Sequence, residues 1–140
     1  MRHVVALSLF VACTPQLDDH SAILAFSELP KHIASGAKPY AATARDIQRF
    51  RGALASTVPS EIRGRVPTYY GQFIGYVDAS GQRWIHGNFM CEVDNLQKSF
   101  GNDVWKRGYI ATNDGGDCFF HVEWSPDTNG TRDLKVNGDA

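Results

Sequence analysis

Residues 105–138 read WKRGYIATNDGGDCFFHVEWSPDTNGTRDLKVNG, and their punctuation decides the fold. Trp105 to Thr112 and Asp117 to Trp124 are rich in aromatic and β-branched residues, the composition of strands. Asn113-Asp114-Gly115-Gly116 and Ser125 to Gly130 supply turn residues. Leu134-Lys135-Val136 is long enough for a short edge strand. In the run from Asp117, Cys118, Phe120, Val122 and Trp124 alternate with Phe119, His121 and Glu123, so the two sets point to opposite faces.

Upstream lies what such a sheet needs. Thr68 to Val77 and Trp84 to Cys91 are two more strand-like runs, joined by Asp78-Ala79-Ser80-Gly81, in which Gly81 is free to take positive φ. In the second run Ile85, Gly87, Phe89 and Cys91 share one face, and Trp84, His86, Asn88 and Met90 the other. The one strong helix signal covers about 43–57. Thr43 and Asp46 have capping-box spacing, Ile47, Phe50, Leu54 and Val58 form a single apolar stripe, and Pro59 stops the run. Residues 22–27 fit a short strand or a buried helical turn equally well, and 30–42 read as an irregular connection. The expected fold is α+β, with one main helix packed on a four- to five-stranded antiparallel sheet.

The chain has 140 residues, 43% hydrophobic and 21% charged, enough for one core and one domain. The formal net charge is -1 and the longest Lys/Arg run is Lys106-Arg107, which argues against a nucleic-acid partner. Met1-Arg2-His3 followed by the apolar run Val4 to Ala12 has the layout of a signal peptide and is too short to span a bilayer. Phe10-Val11-Ala12-Cys13 resembles the lipobox of bacterial lipoproteins, with Phe10 where Leu is usual. The resemblance implies a lipidated Cys13 as the first mature residue; the alternative is an ordinary signal peptide cut near here, which leaves the chain periplasmic or secreted. Thr14, in place of Asp, implies by the same likeness the periplasmic side of the outer membrane, with the membrane met only through the anchor. Residues 1–13 are thus read as leader, 14–21 as tether and 22–140 as a single domain.

Cys91 and Cys118 remain, and an even pair in an exported chain suggests a disulfide. In a simple meander, with 105–112 as an intervening strand, the two would lie at opposite ends of the sheet. A bridge then requires residues 92–104 to cross the sheet and bring the chain back.

Two candidate sites follow from the faces. Tyr69, Tyr70, Phe73, Tyr76 and Trp84 crowd one hairpin; one helix covers only one face, so some of these aromatics are expected to form a binding surface. His121 and Glu123 share a face, and His86 joins them if the hairpins stack, which makes a candidate metal site or the core of a metal-dependent enzyme. Asp114, Asp117, Asp127, Asn129 and Asp133 place carboxylates near glycines as calcium loops do, but without EF-hand spacing, and turns use the same residues. Cys118 and His121 stand three apart on a strand and face opposite ways, so they make no thiol pair. There is no Gly-x-Ser-x-Gly, P-loop or Cys-x-x-Cys motif, and nothing in the sequence implies a cofactor.

From Tyr69 onward the chain resembles small exported bacterial lipoproteins of no assigned function. The likeness is carried by Tyr69-Tyr70-Gly71, Gly87-Asn88-Phe89-Met90-Cys91, Asp114 to Phe120 and Asn137-Gly138-Asp139-Ala140. It implies location, not activity. In architecture alone the expected fold is similar to cystatin-like folds and periplasmic inhibitor proteins. The functional expectation is a non-catalytic envelope lipoprotein that binds a protein partner, inhibitor- or immunity-like. The competing classes are a metal-dependent enzyme or binder using His86, His121 and Glu123, and a purely structural envelope component.

Overall fold

The computed structural model describes residues 13–137. The signal-peptide expectation for residues 1–12 and the motif end Gly138-Asp139-Ala140 lie outside the described residues. The elements run β1 (Ser21–Ile23), α1 (Lys31–Ala34), β2 (Lys38–Pro39), α2 (Ala44–Leu54), α3 (Ser60–Arg63), β3 (Tyr70–Val77), β4 (Arg83–Met90), α4 (Asp94–Phe100), β5 (Phe119–Trp124) and β6 (Thr131–Val136). The architecture is the expected α+β, with a mostly antiparallel sheet ordered β1-β3-β4-β5-β6. The outer edge of β3 carries two short additions, β1 in parallel against Gly71 to Phe73 and β2 antiparallel against Tyr76 and Val77. The ambiguous run 22–27 therefore divides into strand β1 and a 3-10 turn at Phe26–Glu28.

The main helix forms as its signals require. Thr43 Oγ1 accepts from the Asp46 amide at 3.2 Å, and Asp46 Oδ2 accepts from the Thr43 amide at 3.0 Å, so two orphan donors of the first turn are satisfied reciprocally. The stripe Ile47, Phe50, Leu54 and Val58 is fully buried against Phe73, Ile85, Phe89, Phe120, Val122 and Trp124 of the sheet. Gly87 allows the close approach, since a Cβ there would lie 2.7 Å from Phe50 Cζ. Arg51, off the stripe, ties α2 to the sheet edge by donating to Ser21 Oγ and to the carbonyls of His20 and Tyr69.

The expected strand at 105–112 does not form. This stretch is a 3-10 turn at Val104–Lys106 followed by irregular chain. β4 pairs directly with β5, with Met90 opposite Phe119. Cys91 and Cys118 are consequently neighbours at the same end of the sheet, bonded across a Cα–Cα distance of 4.8 Å. The conflict between bridge and topology disappears because its premise, an intervening strand, is absent. The bridge spans a sequence separation of 27, and a loop of that size is stabilised by ~3 kcal/mol in the chain-entropy account.

The connection between the two cysteines instead packs on the second face of the sheet. The Gln72 side-chain amide donates to the carbonyls of Trp105 (2.6 Å) and Gly108 (2.7 Å), and its Oε1 accepts from the Ile110 amide at 3.0 Å. Asn88 Nδ2 donates to Gln72 Oε1 at 2.9 Å and to the Ile110 carbonyl at 2.8 Å. Together with Ala22, Leu24 and Leu29 from the N-terminal side, Val93 and Trp105 build a second core over Ile74, Tyr76, Trp84 and Met90. The sheet is covered on both faces.

Replacing Phe50, which is fully buried among Phe73, Phe89 and Trp124, by Ala is expected to cost about 3–5 kcal/mol. Urea unfolding of the variant measures this, and an unchanged midpoint would mean that α2 does not close the first core.

Candidate functional site

Closing the second face changes the fate of the aromatic hairpin. Tyr69, Tyr76 and Trp84 are 1%, 2% and 7% exposed, Phe73 is buried, and Tyr70 is half-buried with its ring 5.1 Å from that of Trp105. They form core and not a binding surface: Tyr69 and Phe73 are buried with α2 in the first core, while residues 21–37 and 92–110 cover Tyr70, Tyr76 and Trp84 on the face that one helix leaves open. The hydroxyl of Tyr69 donates to the Asp117 carbonyl at 2.8 Å, so even its polar end is occupied.

His86, Glu123 and His121 are brought together on that second face. β4 and β5 pair with His86 opposite Glu123, and the two side chains, 1% and 3% exposed, meet with His86 Nδ1 at 2.6 Å from Glu123 Oε1. Glu123 Oε2 accepts from the Tyr76 hydroxyl at 3.0 Å. His86 Nε2 lies 2.9 Å from the Tyr109 hydroxyl, which the Gln72 and Asn88 contacts hold beside the sheet. The four side chains form one continuous hydrogen-bonded array. Burial and the neighbouring Glu123 push the Tyr109 hydroxyl up to about 12 and raise Tyr76 as well, which keeps both as neutral donors.

The array does not fit the metal site expected from these residues. Both ring nitrogens of His86 and both oxygens of Glu123 already have partners inside the protein. Among the described residues no group of three His, Cys, Asp or Glu side chains is placed to hold a metal ion. Three of the calcium-loop carboxylates are engaged elsewhere: Asp117 pairs with Arg65, Asp127 with Arg83 and Asp133 with Arg132.

His121 is different. Its ring stands 5.6 Å from that of His86, yet its buried Nδ1 has no hydrogen-bond partner, alone among the buried side-chain polar atoms of the described residues. It lies on a wall shared by two depressions, both also bordered by His32. One, of about 400 Å³, reaches Tyr76, Asp78, Arg132 and Asp133. Here the Arg132 guanidinium lies 3.6 Å from the centre of the Trp84 ring, donates to the Tyr76 hydroxyl at 3.2 Å, and stands within 4 Å of the carboxylates of Asp78 and Asp133. Asp78 in turn accepts from Ser80, Gln82 and Trp84, which holds its carboxyl down at about 2. The other depression, of about 290 Å³, is lined by Tyr109, Ile110, Phe119, Lys135 and Asn137 and has no carboxylate on its wall among the described residues.

Sequence reasoning missed His32, Tyr109 and Lys135. Tyr109 and Lys135 read as ordinary strand positions, and His32 as loop. The available signal was Gln72 and Asn88, amides inside otherwise apolar strand runs, which need buried partners from elsewhere in the chain. Comparison of the chain with protein-family models, curated proteins and solved structures found no match.

Burial, with the neighbouring His86 next in weight, holds the His121 imidazole below its ordinary 6.5; Lys135 and His32 add to this and Glu123 opposes it. Below that ordinary value the unfolded chain therefore takes up a proton that the folded chain refuses. Stability is expected to fall as pH drops through about 6.5 and to level off below the folded-state value. Urea midpoints of wild type and His121→Leu across this range isolate the contribution, since the difference between them should carry the slope. Parallel pH profiles for the two proteins would contradict it.

Proposed function

We propose that the chain is an exported binding protein of the cell envelope, anchored by lipid at Cys13 on the periplasmic side of the outer membrane. It recognises a protein partner, in an inhibitor- or immunity-like role, through the trough that runs past His121 along β5 and β6. Support for export comes from the leader-like run and from the Cys91–Cys118 bridge, which suits an oxidising compartment. Support for binding without catalysis comes from the His86–Glu123 pair, whose nitrogens and oxygens are all engaged and whose burial keeps it from a substrate. The observation that carries the choice of face is the partnerless Nδ1 of His121. A buried polar atom left unpaired costs about 1–3 kcal/mol, and a turn of the ring that brings it to a group bound in the trough relieves this.

The test is capture from envelope extract by the mature chain, wild type against Lys135→Glu, with Cys13→Ala in the full chain to examine the anchor. A partner retained by wild type and lost by the variant, and a Cys13→Ala protein released from the membrane fraction, are the expected results. A partner held equally by both proteins would remove the trough from the reading. Unchanged mass and fractionation of Cys13→Ala would remove the anchor.

A further inference from the structure

We infer that the depression beside Lys135 binds a carboxylate carried on an apolar body. The inference rests on the reading of this trough as the binding face and adds the chemistry of what enters it. Of the two depressions flanking His121, the one toward Arg132 balances its own charge, since Asp78 and Asp133 stand against the guanidinium. The one toward Lys135 does not: Lys135, His32 and His121 border it without any carboxylate among the described residues. Lys135 lies opposite His121 in the β5–β6 register, is exposed, and makes no ion pair among the described residues.

The remaining walls decide the body of the ligand. Pro30, Ile110 and Phe119 line the depression and are only partly buried, with Phe120 beneath them. Asn88 and Asn137 contribute amides, but Asn88 donates to Gln72 and Ile110 and Asn137 donates to the Thr112 carbonyl. The groups left over are thus one ammonium, two imidazoles, the Thr112 hydroxyl and Asn113 amide at the rim, and an apolar wall. A cation is repelled by Lys135. A wholly polar anion leaves the apolar wall wet. A carboxylate joined to an aryl or alkyl group meets both, with its oxygens at Lys135 and His121 and its body on Ile110 and Phe119.

Proton linkage follows from the same geometry. His121 is faced by His86 from β4, Glu123 on its own strand, Lys135 from β6, His32 from α1 and the Tyr109 hydroxyl from the covering connection. A bound carboxylate adds a negative charge to this set and favours the imidazolium. Binding therefore tightens as pH falls.

The carboxylate can belong to a free small acid or to the C-terminus of a partner protein, and the arms of the experiment separate the two. Full-length protein labelled for NMR is titrated with hydrocinnamate and with its amide. It is then titrated with a short peptide ending in phenylalanine, with free and with amidated C-terminus. The expected result is saturable movement of His121 and Lys135 signals by at least one free acid, and at least about tenfold weaker binding by the matching amide and by Lys135→Met, a difference of ~1.4 kcal/mol. Response to hydrocinnamate assigns a small-molecule source, and response to the peptide alone assigns a protein source. If neither free acid binds better than its amide, the inference is overturned. Partner capture that still depends on Lys135 would then leave the proposed binding face standing without this chemistry.

Discussion

Two side-chain amides, Gln72 on β3 and Asn88 on β4, hold the chain from Trp105 to Ile110 against the second face of the sheet through four hydrogen bonds of 2.6–3.0 Å, and a further bond of 2.9 Å joins the two amides. Gln72 is fully buried and Asn88 nearly so. Either amide left without these partners would cost about 1–3 kcal/mol in such a setting, so strand and connection each need the other. The clamp accounts for the long excursion between β4 and β5: the chain leaves the sheet, crosses its face as far as β3, and returns beside the strand it left. The disulfide closes the same excursion at its base.

Much else depends on that closure. It buries Tyr76 and Trp84, which would otherwise be exposed aromatic surface. It carries Tyr109 to His86 and so completes an array in which every polar atom of His86 and Glu123 is answered from within. What stays open is the margin of the covering layer, where the connection ends and β6 begins. His121 lies on that margin, with its Nδ1 unpaired. The β6 edge beyond it is itself poor for strand addition, because a register shift between His121 and Glu123 and the charged Arg132, Asp133 and Lys135 interrupt it. Recognition through side chains in the trough fits this chain better than pairing along its edge.

The first core was legible because each of its signals is local. Thr43 and Asp46 mark a helix start, the stripe from Ile47 to Val58 repeats at helical spacing, and alternation along β4 and β5 sorts their residues onto the faces they occupy. The turns at Asp78 to Gly81 and Ser125 to Gly130 were equally plain, since positive φ falls at Gly81 and Asn129. The second layer was not legible, because nothing local distinguishes it. Trp105 to Thr112 has strand composition, yet the partners of its backbone are side-chain amides far earlier in the chain, 33 residues from Trp105 for Gln72 and 22 from Ile110 for Asn88. The site inherited the error. His86, His121 and Glu123 were correctly placed on one face, but the tyrosines that complete the array and the lysine beside it depend on how that face is covered.

A NOESY spectrum of the native protein tests this covering most directly. The account predicts cross-peaks between the rings of Tyr70 and Trp105, whose centres lie 5.1 Å apart, and between the Ile110 amide and the Gln72 side chain, its hydrogen-bond partner at 3.0 Å. If these are missing, and backbone cross-peaks instead pair residues 105–112 with Asp117 to Trp124 as a strand, then the second face is not closed in this way and the site built on it falls.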